Sequence, residues 1–167
     1  TKKQNIMQSL VSHKDITPKQ LFYNQSEETQ ITQLETLLQP VRFEQVCDKL
    51  TAKGMRRGFA CLFYGAPGTG KTETVLQLAR KTGRDILQVN VSELRDKYVG
   101  ESEKRVKALF DNYRKTVASS KIAPILLFNE ADAIFSRRKD NPDSSVDKMN
   151  NSIQNIILQG MEDLDGI

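Results

Sequence analysis

Nowhere in the 167 residues is there an apolar run long enough to cross a bilayer, so no membrane-spanning helix is expected. The start, Thr1-Lys2-Lys3-Gln4-Asn5, is polar with no apolar core behind it, which argues against a secretory leader. An initiator Met is also absent, pointing to a processed or excised piece. Only two cysteines occur, Cys47 and Cys61, and they lack metal or redox spacing; they read as reduced, buried thiols of a cytoplasmic protein. There is no internal repeat and no recognisable nucleic-acid-binding module. A net charge of +4 and a pI near 9.1 permit a nucleic-acid partner without favouring one. The tight basic clusters are Arg56-Arg57 and Arg137-Arg138-Lys139, and a solvated charged surface accounts for them.

What remains is a chain long enough for one domain with a substantial core, 38% hydrophobic and 28% charged. Three apolar stretches read as strands buried on both faces: Phe59-Ala60-Cys61-Leu62-Phe63-Tyr64, Asp85 through Val91, and Pro124-Ile125-Leu126-Leu127-Phe128. Between them lie helical patterns. Val75, Leu76, Leu78 and Ala79 form one apolar face, ending near Gly83. Val106, Leu109, Phe110, Tyr113 and Val117 form another from about Ser102, and Val146, Met149, Ile153, Ile156, Ile157 and Met161 a third. Strands alternating with helices predict an α/β protein, three-layer α/β/α, with a mainly parallel sheet. Ahead of the first strand, residues 1 to about 54 read as helical. Asn24-Gln25-Ser26-Glu27 fits a capping box, Pro40 a break, and Gly54 a C-terminal cap. The first 20 residues read as a linker or a docked arm.

The most informative eight residues are Gly65-Ala66-Pro67-Gly68-Thr69-Gly70-Lys71-Thr72, which fit G-x-x-x-x-G-K-[ST]. Glycines let the backbone form a nest of N–H groups aimed at phosphate oxygens. Lys71 is placed to reach the β- and γ-phosphates and the Thr72 hydroxyl to ligate Mg²⁺. A helix beginning at Thr72 adds the positive end of its dipole. Strand, glycine loop and helix follow in the required order, so a nucleotide phosphate is the expected ligand.

The third strand leads into Asn129-Glu130, at the carboxyl end where α/β sites lie. Phosphate-loop ATPases place an Asp here, holding Mg²⁺ through water, followed by a Glu that orients the attacking water. Glu130 is accordingly the expected catalytic base, assisted by Lys71. Asn129 stands in the Asp position; it can accept a hydrogen bond from a metal-bound water but brings no charge, which weakens metal binding.

At this point the chain resembles the large nucleotide-binding subdomain of an AAA ATPase, within the broader AAA+ class. The resemblance rests on Gly65–Thr72, on Lys97-Tyr98-Val99-Gly100-Glu101-Ser102-Glu103-Lys104, and on Ile125 through Arg138. It covers residues 41–167, leaving 1–40 as an N-terminal helical or linker segment. It implies ATP and Mg²⁺ as cofactors and a ring of its own subunits, by resemblance a hexamer, acting on a protein substrate. In similar proteins the aromatic-apolar-Gly triplet lines the ring's pore and grips a polypeptide; here that is Tyr98, Val99 and Gly100. The loop near Asn141-Pro142-Asp143 matches a second pore-facing loop.

The resemblance also implies parts that lie past Ile167: a sensor strand, an arginine finger and a small helical subdomain. The sensor strand of similar proteins lies between the phosphate-loop strand and the Asn129 strand, so a gap in the sheet is expected, along with weak nucleotide binding and poor hydrolysis. Two other functions stay open: a nucleotide-binding scaffold with weak hydrolysis, and a nucleic-acid-associated AAA+ motor. A phosphate-loop kinase or GTPase is disfavoured, because no N-K-x-D element is present.

Overall fold

A computed structural model describes residues 8–66, 68–97, 101–133 and 145–167. Two helices precede the phosphate loop, and local chemistry sets their ends. Helix α1 spans Gln25–Leu38 and starts at Asn24, whose side chain accepts a hydrogen bond from the Glu27 N–H at 2.8 Å. Pro40 opens α2 (Pro40–Ala52) in the first turn, where a missing N–H costs nothing. That helix closes at Gly54, φ +70°: the Gly54 N–H reaches Thr51 O and the Met55 N–H reaches Leu50 O. These paired bonds make a Schellman cap and need a left-handed residue at position 54.

Helix α3 spans Lys71–Thr82 and ends at left-handed Gly83. It is followed by β2 (Ile86–Asn90), α4 (Val91–Lys97), α5 (Ser102–Ser119), β3 (Ile125–Asn129) and α6 (Ser145–Glu162). Strand β2 pairs in parallel with β3, from Ile86 beside Ile125 to Asn90 beside Asn129. On its other edge lies β1 (Gln8–Val11), antiparallel, with Val11 beside Ile86. The docked arm at the N-terminus is thus partly a strand, and α4 is a helix that periodicity did not reveal.

Strand alternation divides the core in two. Leu87 and Val89, with Leu126 and Phe128, pack against Val106, Leu109, Phe110, Tyr113, Ile153 and Ile157 of α5 and α6. Ile86, Ile125 and Leu127 face the opposite way, onto Leu38 of α1 and Val75 and Ala79 of α3. Arg84, 1% exposed, ties the second side together. Its guanidinium donates to Leu38 O (2.9 Å) and Ala123 O (2.6 Å) and lies 4.6 Å from the centre of the Phe43 ring.

One expected strand does not form. Phe59–Tyr64 carries no ladder, so among the described residues the sheet is three-stranded and mixed rather than mainly parallel. Apolar composition gives a segment strand propensity, but a strand exists only where a neighbour accepts its backbone bonds. Among the described residues the backbone bond made by this segment runs from the Phe59 N–H to Gly166 O, at 3.1 Å. Leu62 and Tyr64 are 81% and 88% exposed. Cys61 is exposed, against expectation, whereas Cys47 is buried and burial pushes its thiol pKa up. No helix among the described residues is long and apolar enough to cross a membrane.

Candidate active site

The glycine loop bends through backbone that other residues resist. Gly65, Gly68 and Gly70 have φ of +149°, +77° and +85°. Gly70 sits at the N-cap of α3 with no side-chain cap, so the first N–H groups of this helix are left to a ligand or water. Within the loop the Thr69 hydroxyl donates to Ala66 O at 2.8 Å, and Lys71 Nζ donates to Gly65 O at 2.6 Å. Lys71 therefore curls over the mouth of the loop. The uncapped start of α3, the positive end of its dipole and the Lys71 ammonium lie beside the same loop, an arrangement that suits an anion.

The second half of the site comes from β3. Its last residue, Asn129, accepts a hydrogen bond through Oδ1 from the Thr72 hydroxyl at 3.2 Å. Fifty-seven positions separate the two in sequence, and the fold brings them into contact. Two neutral oxygens so placed suit a hard cation such as Mg²⁺, which takes few protein ligands and completes its shell with water and phosphate. Glu130 follows at once, exposed, with φ +56°. It is the one non-glycine with positive φ among the described residues, and that conformation costs a β-carbon-bearing residue about 1–2 kcal/mol. Strain of this kind collects at functional positions.

Among the predicted site residues, Gly65, Ala66, Gly68, Thr69, Gly70, Lys71 and Thr72 share one loop and helix start, Asn129 is brought to it by the contact with Thr72, and Glu130 is the next residue along the chain. Pro67, Tyr98, Val99, Gly100 and the 141–143 loop lie outside the described residues.

Sequence reasoning missed a strap across the first turns of α3. Tyr23 Oη lies 2.8 Å from Thr74 Oγ1, Lys19 Nζ lies 3.3 Å from Glu73, and Gln77 donates to Thr17 O at 3.0 Å. The strap roofs a cavity of about 410 Å³ between α1 and α3, lined in part by Pro18, Tyr23, Ile31, Thr74 and Lys81. No local pattern signals these bonds, because each joins residues more than fifty positions apart.

Residues 61–166 match the model of the ATPase family associated with various cellular activities, AAA. That match spans more than half the chain and takes in both halves of the site. The chain belongs to the AAA family of ATPases. Its AAA relatives include the 26S proteasome regulatory subunit 7 homolog B of Arabidopsis thaliana, 37% identical over 71% of this chain and 24% of the relative. The peroxisomal ATPase PEX6 of Eremothecium gossypii is 31% identical over 80% of this chain and 12% of its own length. The proteasome-activating nucleotidase of Methanoculleus marisnigri is 33% identical over 78% of this chain and 28% of its own. The chain thus spans a third or less of the length of these AAA relatives.

Proposed function

We propose that this chain is the ATP-binding and ATP-hydrolysing unit of a ring-forming AAA ATPase that remodels or translocates protein substrates. The observation that carries the reading is the 3.2 Å contact between Thr72 of the phosphate loop and Asn129 at the end of β3. It joins the two halves that nucleotide hydrolysis requires. The Gly65–Thr72 backbone holds the phosphates, and Lys71 leaves Gly65 O to neutralise them. Thr72 and Asn129 would hold Mg²⁺, which would supply charge to offset that on the phosphate oxygens. Glu130 accepts a proton from the attacking water and orients it; ADP and phosphate are the products.

The relatives named for the proteasome and for ATPase activity support a protein substrate. On that reading Tyr98, Val99 and Gly100 grip the polypeptide, the layered α/β/α domain packs into a hexameric ring, and a neighbouring subunit completes each site.

Nucleotide binding by calorimetry on this chain, and Mg²⁺-ATP turnover in the complete protein, test the proposal. Lys71→Ala should weaken ATP binding about 100-fold, roughly the effect of losing a charge-assisted phosphate contact worth about 3 kcal/mol. Glu130→Gln should preserve binding and abolish turnover. A second reading, a nucleotide-gated binder with negligible hydrolysis, is favoured by the neutral amide at position 129. Turnover absent in the native protein but present in Asn129→Asp would select it.

A further inference from the structure

Tyr113 lies on α5, away from the phosphate loop, and its phenol is the hub of a hydrogen-bond knot. Its hydroxyl is 2.7 Å from Pro124 O and 3.1 Å from Ile167 O, and it accepts the Ile167 N–H at 2.8 Å. Burial pushes its pKa up to about 12, so the proton that makes these bonds stays on the oxygen. Next to it, Gly166 has no room for a side chain: a β-carbon there would collide with the Tyr113 hydroxyl. On the other side Gly58, φ +102°, lies so close that its own β-carbon would collide with the Gly166 backbone. Two glycines and a tyrosine therefore stack without slack.

The knot matters because of where it holds the chain. Gly166 O accepts from the Phe59 N–H at 3.1 Å, and Ile167 O accepts from the Leu126 N–H at 2.8 Å. The two carbonyls serve different segments, so Gly166–Ile167 bridges Phe59 and β3. Phe59 leads six residues on into Gly65, and Leu126 leads three residues on to Asn129. At the far end of the same pair of segments stands the Thr72–Asn129 contact. The spacing of the loop-bearing segment from β3 is thus set by hydrogen bonds at its base, which are directional, as well as by apolar packing, which is not.

We infer that Tyr113 is a positioning residue for metal-dependent nucleotide binding: by seating Gly166–Ile167 between Phe59 and Leu126 it sets the separation of Thr72 from Asn129. This rests on the proposed function, in which those two residues serve Mg²⁺. The phosphate nest and the Lys71 ammonium belong to one continuous segment and do not depend on that separation; the metal contacts do.

The test is the affinity of a fluorescent ATP analogue measured with EDTA and with Mg²⁺, for native protein and Tyr113→Phe. Native protein should bind more tightly with Mg²⁺. In Tyr113→Phe the EDTA affinity should stay within about twofold while the Mg²⁺ gain shrinks at least threefold. Gly166→Ala, which attacks the same contact from the other side, should lose the Mg²⁺ gain as well, and less so when built on Tyr113→Phe. An undiminished Mg²⁺ gain in Tyr113→Phe overturns the inference. So does an equal loss with EDTA and with Mg²⁺, or failure of both single variants to fold, since Tyr113 would then serve general stability. No Mg²⁺ gain in the native protein would instead refute the metal reading beneath it.

Discussion

At position 130 a carboxylate is kept in backbone geometry that glycine would hold more easily. Glu130, exposed and at φ +56°, gains no packing from that position. Glu130→Gly should therefore raise stability, by roughly 0.5–1 kcal/mol after the added unfolded-state entropy of glycine is set against relief of strain, while turnover disappears. Thermal melts beside turnover assays read both, and a lower melting temperature would show that the conformation is not strained. Arg84 is the opposite kind of residue, a buried cation with structural work only. Burial lowers its pKa, yet a guanidinium stays charged, and it satisfies Leu38 O and Ala123 O. Arg84→Met keeps the bulk but strands both carbonyls, so we expect a loss of about 2–4 kcal/mol in urea unfolding, with the nucleotide affinity of the remaining folded protein unchanged.

Among the elements, β1 depends on a latch as well as on its ladder. The Asp85 carboxylate, just before β2, accepts from the His13 N–H at 3.0 Å and lies 2.7 Å from His13 Nδ1. Burial acts to raise the Asp85 pKa, but the two His13 bonds outweigh it, helped by the His13 and Lys14 charges, and the net direction is down. A carboxyl depressed on folding contributes stability above its unfolded pKa of about 3.9, and that contribution is lost as pH falls through the folded value. Because the side chain is 41% exposed, screening limits it to about 0.5–1 kcal/mol. Asp85→Asn should thus be less stable than native protein at pH 7 by that amount, with the gap closing below pH of about 4. A gap that persists at low pH would mean that hydrogen-bond geometry and not ionisation holds β1.

Across the whole molecule, protection should follow backbone pairing. Strand β2 is flanked on both edges and sandwiched between the two halves of the core, so its amides should exchange near the global limit. The amides of 60–64 should exchange orders of magnitude faster despite their apolar side chains, because no ladder holds them. Hydrogen exchange resolved by peptide checks this, and slow exchange at 60–64 would show that the segment is paired in solution. Adding Mg²⁺-ATP should slow exchange at both the glycine loop and the end of β3, since the site spans them.

Much of this was readable along the chain because it depends on neighbours in sequence. Asn24 caps α1 through a bond to Glu27, Gly54 ends α2 in a left-handed turn, and Gly65–Thr72 forms its loop from its own residues. Apolar runs placed β2 and β3, and apolar residues at helical spacing placed α5, within a residue or two of where they lie. Family membership followed from the same local motifs. Tertiary structure alone decided what rests on distant partners. Phe59–Tyr64 has the apolar side chains of a strand but, beyond the bond from the Phe59 N–H to Gly166 O, no ladder among the described residues, while Gln8–Val11 finds one on β2. Thr72 meets Asn129, Tyr23 meets Thr74, and Tyr113 meets Ile167 across 57, 51 and 54 positions. Local propensity is carried by each residue, whereas a hydrogen-bond partner is supplied only by the fold.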